Sequence, residues 1–289
     1  MSNAPTGLEL YSQTADDVAA AVISRYSTSF GIAARLLGPR PRPHVRNIYA
    51  LVRVADEIVD GPAHDAGLPP ERERAVLDAL EAEVADAIAS GFSANLVVHA
   101  FARSARECGI GDDLIAPFFA SMRTDLDTAA HDDVSHDAYV YGSAEVVGLM
   151  CLQVFLNAGM SAPAKPAADL VDGARRLGAA FQDVNFLRDV ADDADRLGRD
   201  YLDGAADDER RTTVLDRIDA DLAAAASVIP HLPPDCRAAV TCAHDLFAEL
   251  SRRLRLSPAG APRVRVPDGV KATLAARALL GRPPKGPRS

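Results

Sequence analysis

Gln182-Asp183-Val184-Asn185-Phe186-Leu187-Arg188-Asp189-Val190-Ala191-Asp192-Asp193 is the stretch that gives this chain its chemical character. On a helix, Asn185, Arg188, Asp189 and Asp193 fall at i, i+3, i+4 and i+8, so their side chains project from one face over about two turns. An oxygen-rich stripe with its own arginine suits Mg2+ that already carries a phosphate. That ion takes one or two carboxylates and keeps its other places for water and substrate oxygens.

A second stripe, Arg53-Val54-Ala55-Asp56-Glu57-Ile58-Val59-Asp60, sets Asp56 and Asp60 one turn apart with Arg53 a turn before them. Carboxylates at that spacing repel unless a cation lies between them. Such a pair is either solvated or half of a metal site. Ile48, Leu51, Val52, Val54, Ile58 and Val59 surround these acids with apolar residues, a costly place for an idle charge. Two stripes in one chain favour a shared site.

The 289 residues are 48% hydrophobic with no Trp, and Ala-rich sequence with few β-branched runs predicts an all-α protein. A net charge of -10, without basic stripes or stacking aromatics, excludes general nucleic-acid binding. Cys108, Cys151, Cys236 and Cys242 lack metal-ligand spacing and read as buried thiols of a reducing compartment. The polar start, Met1 to Asp17, has no signal pattern, and no stretch is expected to be long and apolar enough to span a bilayer. A cytoplasmic, soluble protein is expected, with contact at a membrane surface left open.

In chain order, Thr14-Ala15-Asp16-Asp17 predicts a helix start after a flexible segment 1–13, with the helix running through Ser27-Thr28-Ser29-Phe30 towards Leu37. It should stop at Gly38-Pro39-Arg40-Pro41-Arg42-Pro43. The helix carrying Arg53, Asp56 and Asp60 ends at Gly61-Pro62. An outer helix over 71–90 buries the stripe Val76, Leu80, Val84, Ile88, and two more helices follow over 95–108 and 112–128. In the last of these, the charged run Met122 to Asp127 faces either a site or solvent, with solvent the default for such a cluster. The segment from His136 to Asn157 mixes small, aromatic and apolar residues, which suits close helix packing or a tunnel wall. An acidic linker over 203–209 precedes helices over 213–229, 234–256 and 268–280, and a disordered basic tail occupies 281–289.

The seven histidines form no metal-ligand cluster, and no Gly-rich loop follows a strand, so a P-loop or dinucleotide fingerprint is missing.

With these residues in view, the chain resembles the squalene/phytoene synthase family of head-to-head prenyl transferases, and its bacterial phytoene-forming branch most of all. The resemblance runs from about Tyr26 to Leu280. It rests on Ser27 to Phe30, Arg53 to Asp60, Tyr139 to Gly148 and Gln182 to Asp193, the second and fourth resembling the family's two Asp-rich motifs. It implies a single catalytic domain over 14–280, an isoprenoid-synthase helical bundle around a central apolar cavity. Asp56, Asp60, Asn185, Asp189 and Asp193 would hold Mg2+, for which Mn2+ can stand in. Arg53, Arg188, Arg263, Gln182, Ser27 and Ser29 would meet the diphosphates of two prenyl substrates, with Lys271 a weaker candidate. Arginine's fork matches phosphate geometry.

The implied reaction ionises an allylic diphosphate, joins the cation to a second prenyl chain through a cyclopropyl diphosphate, and ends in proton loss for phytoene or hydride capture for squalene. Tyr139 and released diphosphate are both candidate proton acceptors. Phe30, Ala34, Val147 and Gly148 would line the tail pocket. The small Ala34 one turn beyond Phe30 leaves depth for geranylgeranyl rather than farnesyl diphosphate, and NADPH is not expected. The chain departs from the family pattern at Phe186, Glu145, Asp203 and Phe247. Glu145 would either face the cavity, where it would tune or quench a carbocation, or need an arginine or water partner on a neighbouring helix. The rival readings are a squalene or dehydrosqualene synthase and a non-catalytic scaffold of the same fold.

Overall fold

Few β-branched runs and abundant alanine favour helix locally, and among the described residues the computed structural model contains helices and no strand. It describes residues 6–127, 133–196, 208–258 and 263–285, with the backbone alone at 133–134, 190–196 and 208. In chain order the helices are α1 (Gly7–Tyr26), α2 (Ser29–Arg35), α3 (Arg42–Val59), α4 (Pro62–Asp65), α5 (Pro70–Ser90), α6 (Leu96–Cys108) and α7 (Asp112–Asp127). Then come α8 (Asp133–Val140), α9 (Val146–Asn157), α10 (Ala168–Arg196), α11 (Asp208–Val228), α12 (Pro234–Arg255) and α13 (Asp268–Leu279), with a π-helical turn, Tyr141–Glu145, joining α8 to α9.

Two apolar clusters build the bundle. The first comes mainly from α1, α3, α5, α6, α7 and α9 and buries Leu51, Phe101, Phe118 and Phe119. The second comes from α8 and α10 to α13 and buries Val184, Ile218, Leu246 and Leu274. One acidic stripe belongs to each half, on α3 and on α10. Helix α9 packs against α3, α7 and α10 and so ties the halves together.

That tie depends on close backbone approach. A Cβ on Gly148 would stand 2.6 Å from the carbonyl oxygen of Ala174, and one on Gly178 2.6 Å from that of Ala144. Because both obstacles are main chain, glycine is required at both positions. At the opposite end, Arg40 closes the bundle: its guanidinium forks onto Asp235 with both bonds at 2.9 Å and also donates to the carbonyls of Phe155 and Ala158. The proline-rich turn after α2 is thereby pinned to the ends of α9 and α12.

Several expectations need correction. Helix α1 starts at Gly7, so residues 7–13 are not a flexible segment. Tyr11 anchors them, its hydroxyl donating to the carbonyls of Ser93 and Ala94 at 2.9 Å while its ring packs on Phe92 and His99. Thr14 is not a cap but sits mid-helix, its hydroxyl on the Leu10 carbonyl. The first helix also breaks before Leu37. Ser27 is extended, and its hydroxyl accepts from the Phe30 N–H at 3.1 Å, capping α2. On α5, Leu77 is buried where Val76 was expected, and Val76 faces water.

Within the expected disordered tail, Lys285 N donates to Asp245 Oδ1 at 2.8 Å, which ties Lys285 to α12, while Gly281 and Arg282 bond back to the end of α13; residues 286–289 lie outside the described residues. So does most of the acidic linker, Asp203 included. Finally, Ser135–Asn157 does reach bilayer length, with 23 residues and a mean hydropathy of 1.4 in its most apolar window. Its apolar character serves packing, because this segment meets α7 and α10 and lines the cavity.

Candidate active site

A cavity of about 630 Å3 lies between the halves. Both acidic helices change character along it. The last turns of α3 supply Arg53, Asp56 and Asp60, and the earlier ones Val45, Ile48 and Val52; α10 supplies Leu177 and Phe181 and then Gln182, Asn185, Arg188 and Asp189. The result is a charged mouth over an apolar interior.

At the mouth, the Asp56 carboxyl is held well above the usual carboxylate range, first by desolvation and then by Asp60 and Asp125, with Arg53 opposing. Its side chain is still 28% exposed, because water reaches it through the cavity while protein encloses it at longer range. A cation would relieve this repulsion. Arg53 Nη1 donates to Glu57 Oε1 at 3.0 Å, lies 4.0 Å from Asp56, and stacks over the Tyr26 ring. Across the cavity, Asp189 receives a fork from Arg188, with bonds of 2.9 and 2.8 Å. Arg263 reaches the same carboxylate from the segment before α13.

The donor set fits Mg2+. Asp56 and Asp60 on one wall and Asn185 and Asp189 on the other offer hard oxygens, yet among the described residues no three acids, histidines or cysteines close into a complete cage. Such a partial set is what Mg2+ accepts when phosphate oxygens complete its shell. Asp193 follows Asp189 by one turn of α10, but its side chain lies outside the described residues.

Tyr139 and Asp125 form the next layer. The Tyr139 hydroxyl donates to Asp125 Oδ2 at 2.9 Å, and both residues are buried against the cavity wall. Solvent was the default expectation for the run that holds Asp125, with a site the alternative, and Asp125 is the cavity residue that sequence reasoning did not single out. A signal existed: Leu114, Phe118, Ser121, Met122 and Asp125 continue one helical stripe whose other members are all buried. The π turn widens the helix after Tyr139, so that Tyr139, Ser143 and Val147 all reach the cavity wall.

The remaining candidates divide clearly. Ser27, Ser29, Gln182, Phe30, Ala34, Val147 and Gly148 line the cavity. Phe30 packs against Phe181 and Phe247, whose rings stack at 3.8 Å, so Phe247 belongs to the apolar wall. Phe186 fills the space between Tyr139 and His136; behind it His136 meets Asp183, which Arg217 also holds. Glu145 is not a cavity group. Arg175 Nε donates to its Oε2 at 2.6 Å from α10, and burial raises its pKa against the pull of that arginine. Lys271 is the candidate the fold does not bring to the site, since it donates to Asp268 at the start of α13. Three of the cysteines are buried and Cys151 lies in the cavity wall, where burial pushes its thiol up to about 12.

Comparison with solved structures defines the class. The chain superposes on a dehydrosqualene synthase with a TM-score of 0.76 at 21% identity, covering 94% of this chain and 98% of that one. It superposes on a squalene synthase from Alicyclobacillus acidocaldarius with a TM-score of 0.65 at 19% identity, covering 95% and 97%. The fold is therefore the all-α isoprenoid-synthase bundle. The family description "Squalene/phytoene synthase" matches residues 23–204. The chain is 31% identical over 282 residues to a 15-cis-phytoene synthase of a Paracoccus species, covering 90% of this chain and 87% of the relative. It is 32% identical over 285 residues to the phytoene synthase of Mycobacterium tuberculosis, covering 90% and 88%. The chain belongs to the squalene/phytoene synthase family.

Proposed function

We propose that the protein is a prenyltransferase that condenses two molecules of geranylgeranyl diphosphate head to head, through a cyclopropyl diphosphate, to phytoene, with release of two diphosphates. The observation that carries this reading is the charged mouth over an apolar cavity, in a chain that is similar to bacterial phytoene synthases over nearly its whole length.

Arg53, Arg188 and Arg263 bind and orient the diphosphates, their guanidiniums matching phosphate oxygens in charge and fork. Mg2+, with Mn2+ as a substitute, supplies Lewis-acid stabilisation of the departing diphosphate when held by Asp56, Asp60, Asn185, Asp189 and Asp193. The allylic C–O bond breaks with its electron pair on the diphosphate, and the double bond of the second chain attacks the allyl cation. The apolar walls, among them Phe30, Phe181 and Phe247, exclude water until that bond forms. Proton loss closes the cyclopropane. A second ionisation and rearrangement follow, and a second proton loss gives phytoene.

In this reading Tyr139 orients the reacting chain and takes a proton while its own passes to Asp125, a role its hydrogen bond to Asp125 supports, with diphosphate the competing acceptor. Because the last step is proton loss, no nicotinamide cofactor is required. The small Ala34 supports the longer substrate. Cytoplasmic location with peripheral membrane contact suits substrates and a product this apolar.

The test is incubation of purified protein with Mg2+ and geranylgeranyl or farnesyl diphosphate, with and without NADPH, with products weighed by mass spectrometry. Phytoene from the longer substrate without NADPH is expected. A product from farnesyl diphosphate alone moves the enzyme to the squalene branch, and no diphosphate release from either substrate returns the scaffold reading.

A further inference from the structure

Away from the mouth, the turn after α2 gathers three guanidiniums. Arg35 ends α2 and is exposed, while Arg42 and Arg46 stand one turn apart at the start of α3. Arg42 Nε donates to the Leu37 carbonyl at 2.9 Å, which draws its charge back over the end of α2 towards Arg35. Arg46 is half-buried, and among the described residues neither it nor Arg35 has a carboxylate partner. Its guanidinium is pushed below its ordinary value by burial and then by Arg42 and Arg35.

Many other arginines of the chain meet carboxylates. Arg40 forks onto Asp235, Arg123 meets Asp78 and Glu81, Arg176 meets Asp172 and Asp221, and Arg255 meets Asp216 and Asp219. With 41 acidic residues against 31 basic ones, this cluster does not lack an acid because acids are scarce. Like charges one turn apart destabilise a helix, and a half-buried charge without a partner adds a desolvation cost. An anion with several oxygens offsets both, and the positive end of the α3 dipole adds to the attraction.

We propose that Arg35, Arg42 and Arg46 form a binding site for a phosphate group, distinct from the cavity mouth. None of the three lines the cavity, and Arg46 lies ten residues before Asp56, ~15 Å along the helix axis. The site does not depend on the reaction assigned to the cavity. Its phosphate has two chemical sources, a soluble phosphate and the head group of an anionic phospholipid.

Calorimetric titration with inorganic phosphate in Mg2+-free buffer, paired with thermal melting, tests the site on the parent, R35Q/R46Q and R263Q. The parent and R263Q bind phosphate and melt higher in it. R35Q/R46Q loses affinity by about tenfold or more and, without phosphate, melts no lower than the parent, because repelling charges have gone. R46K, which keeps the charge but loses the fork, falls between them and serves if the double variant does not fold. Flotation with phosphatidylglycerol or phosphatidylcholine vesicles separates the sources. Arginine-dependent binding to the anionic vesicles assigns a lipid head group, and phosphate binding without vesicle binding assigns a soluble anion. Equal binding of both probes by the parent, R35Q/R46Q and R46K, or loss of phosphate binding in R263Q alone, overturns the proposal.

Discussion

The Arg263 guanidinium donates to Asp189 Oδ2 from Nη2 at 3.2 Å, with its Nε 2.8 Å from Oδ1, across 74 residues of sequence. Arg188 grips the same carboxylate from its own helix. One acid therefore organises two cations at the cavity mouth, where a diphosphate would compete for both. R263A should raise the KM for prenyl diphosphate about tenfold or more, from the loss of a charge-assisted bond of ~2 kcal/mol. R263K should recover part of that loss, since an ammonium keeps the charge without the fork. Steady-state kinetics with varied substrate checks both.

The Tyr139–Asp125 hydrogen bond predicts coupled kinetics. Y139F and D125A should each lower turnover by about a hundredfold, within the range of a positioned proton-transfer group. The double variant should be no slower than the worse single one, because each change breaks the same bond. Additive losses in single-turnover assays would show that the two side chains act separately.

Close approach at Gly148 and Gly178 predicts a stability effect with a functional echo. G148A and G178A each set a Cβ 2.6 Å from a main-chain oxygen and should cost about 2 kcal/mol or more by forcing the helices apart. Urea unfolding measures the loss. Diphosphate release should fall as well, since α10 carries half of the mouth.

Ala34 is only 6% exposed and lines the cavity, and it is the proposed determinant of depth. A34F should lower the ratio of activity on geranylgeranyl to that on farnesyl diphosphate by about tenfold or more, comparable to the upper range for a pocket change of this kind. Competition between the two substrates, read by product mass, gives the ratio directly.

Glu249 supplies the pH dependence. Its hydrogen bond from Arg252, reinforced by Arg253 and opposed by burial, lowers its pKa from 4.5 to about 2. The folded state thus binds fewer protons, so the stabilisation is complete above pH 4.5 and disappears as pH falls towards 2. With Arg252 nearly half exposed, solvent screening reduces the gain to about 1 kcal/mol. Denaturant titrations should show E249Q weaker than the parent by that amount at pH 7, with the gap narrowing at pH 3.

The acidic stripes on α3 and α10 were legible in the sequence because their geometry is local. Spacings of three and four residues on a helix dictate which side chains share a face, whatever the helix packs against. The start of α1 was not legible, because it depends on Tyr11 reaching carbonyls 82 and 83 residues away. Asp125 was hidden among charged neighbours. Its burial depends on Tyr139, supplied by a different helix. Glu145 left two alternatives open, and Arg175, thirty residues further on, decided for the helix interface.

By itself, then, the sequence determined the helical class, the two carboxylate stripes with their arginines, and the small residues that permit an apolar cavity, since all of these follow from local spacing and side-chain chemistry. Only the tertiary structure decided that the stripes share one cavity, that Asp125 backs Tyr139, that Arg263 joins Asp189 while Lys271 does not approach, and that Arg40 closes the far end on Asp235, 195 residues away. Those outcomes depend on which distant surfaces meet, and a meeting between helices is settled by the packing of the whole bundle rather than by any stretch within it.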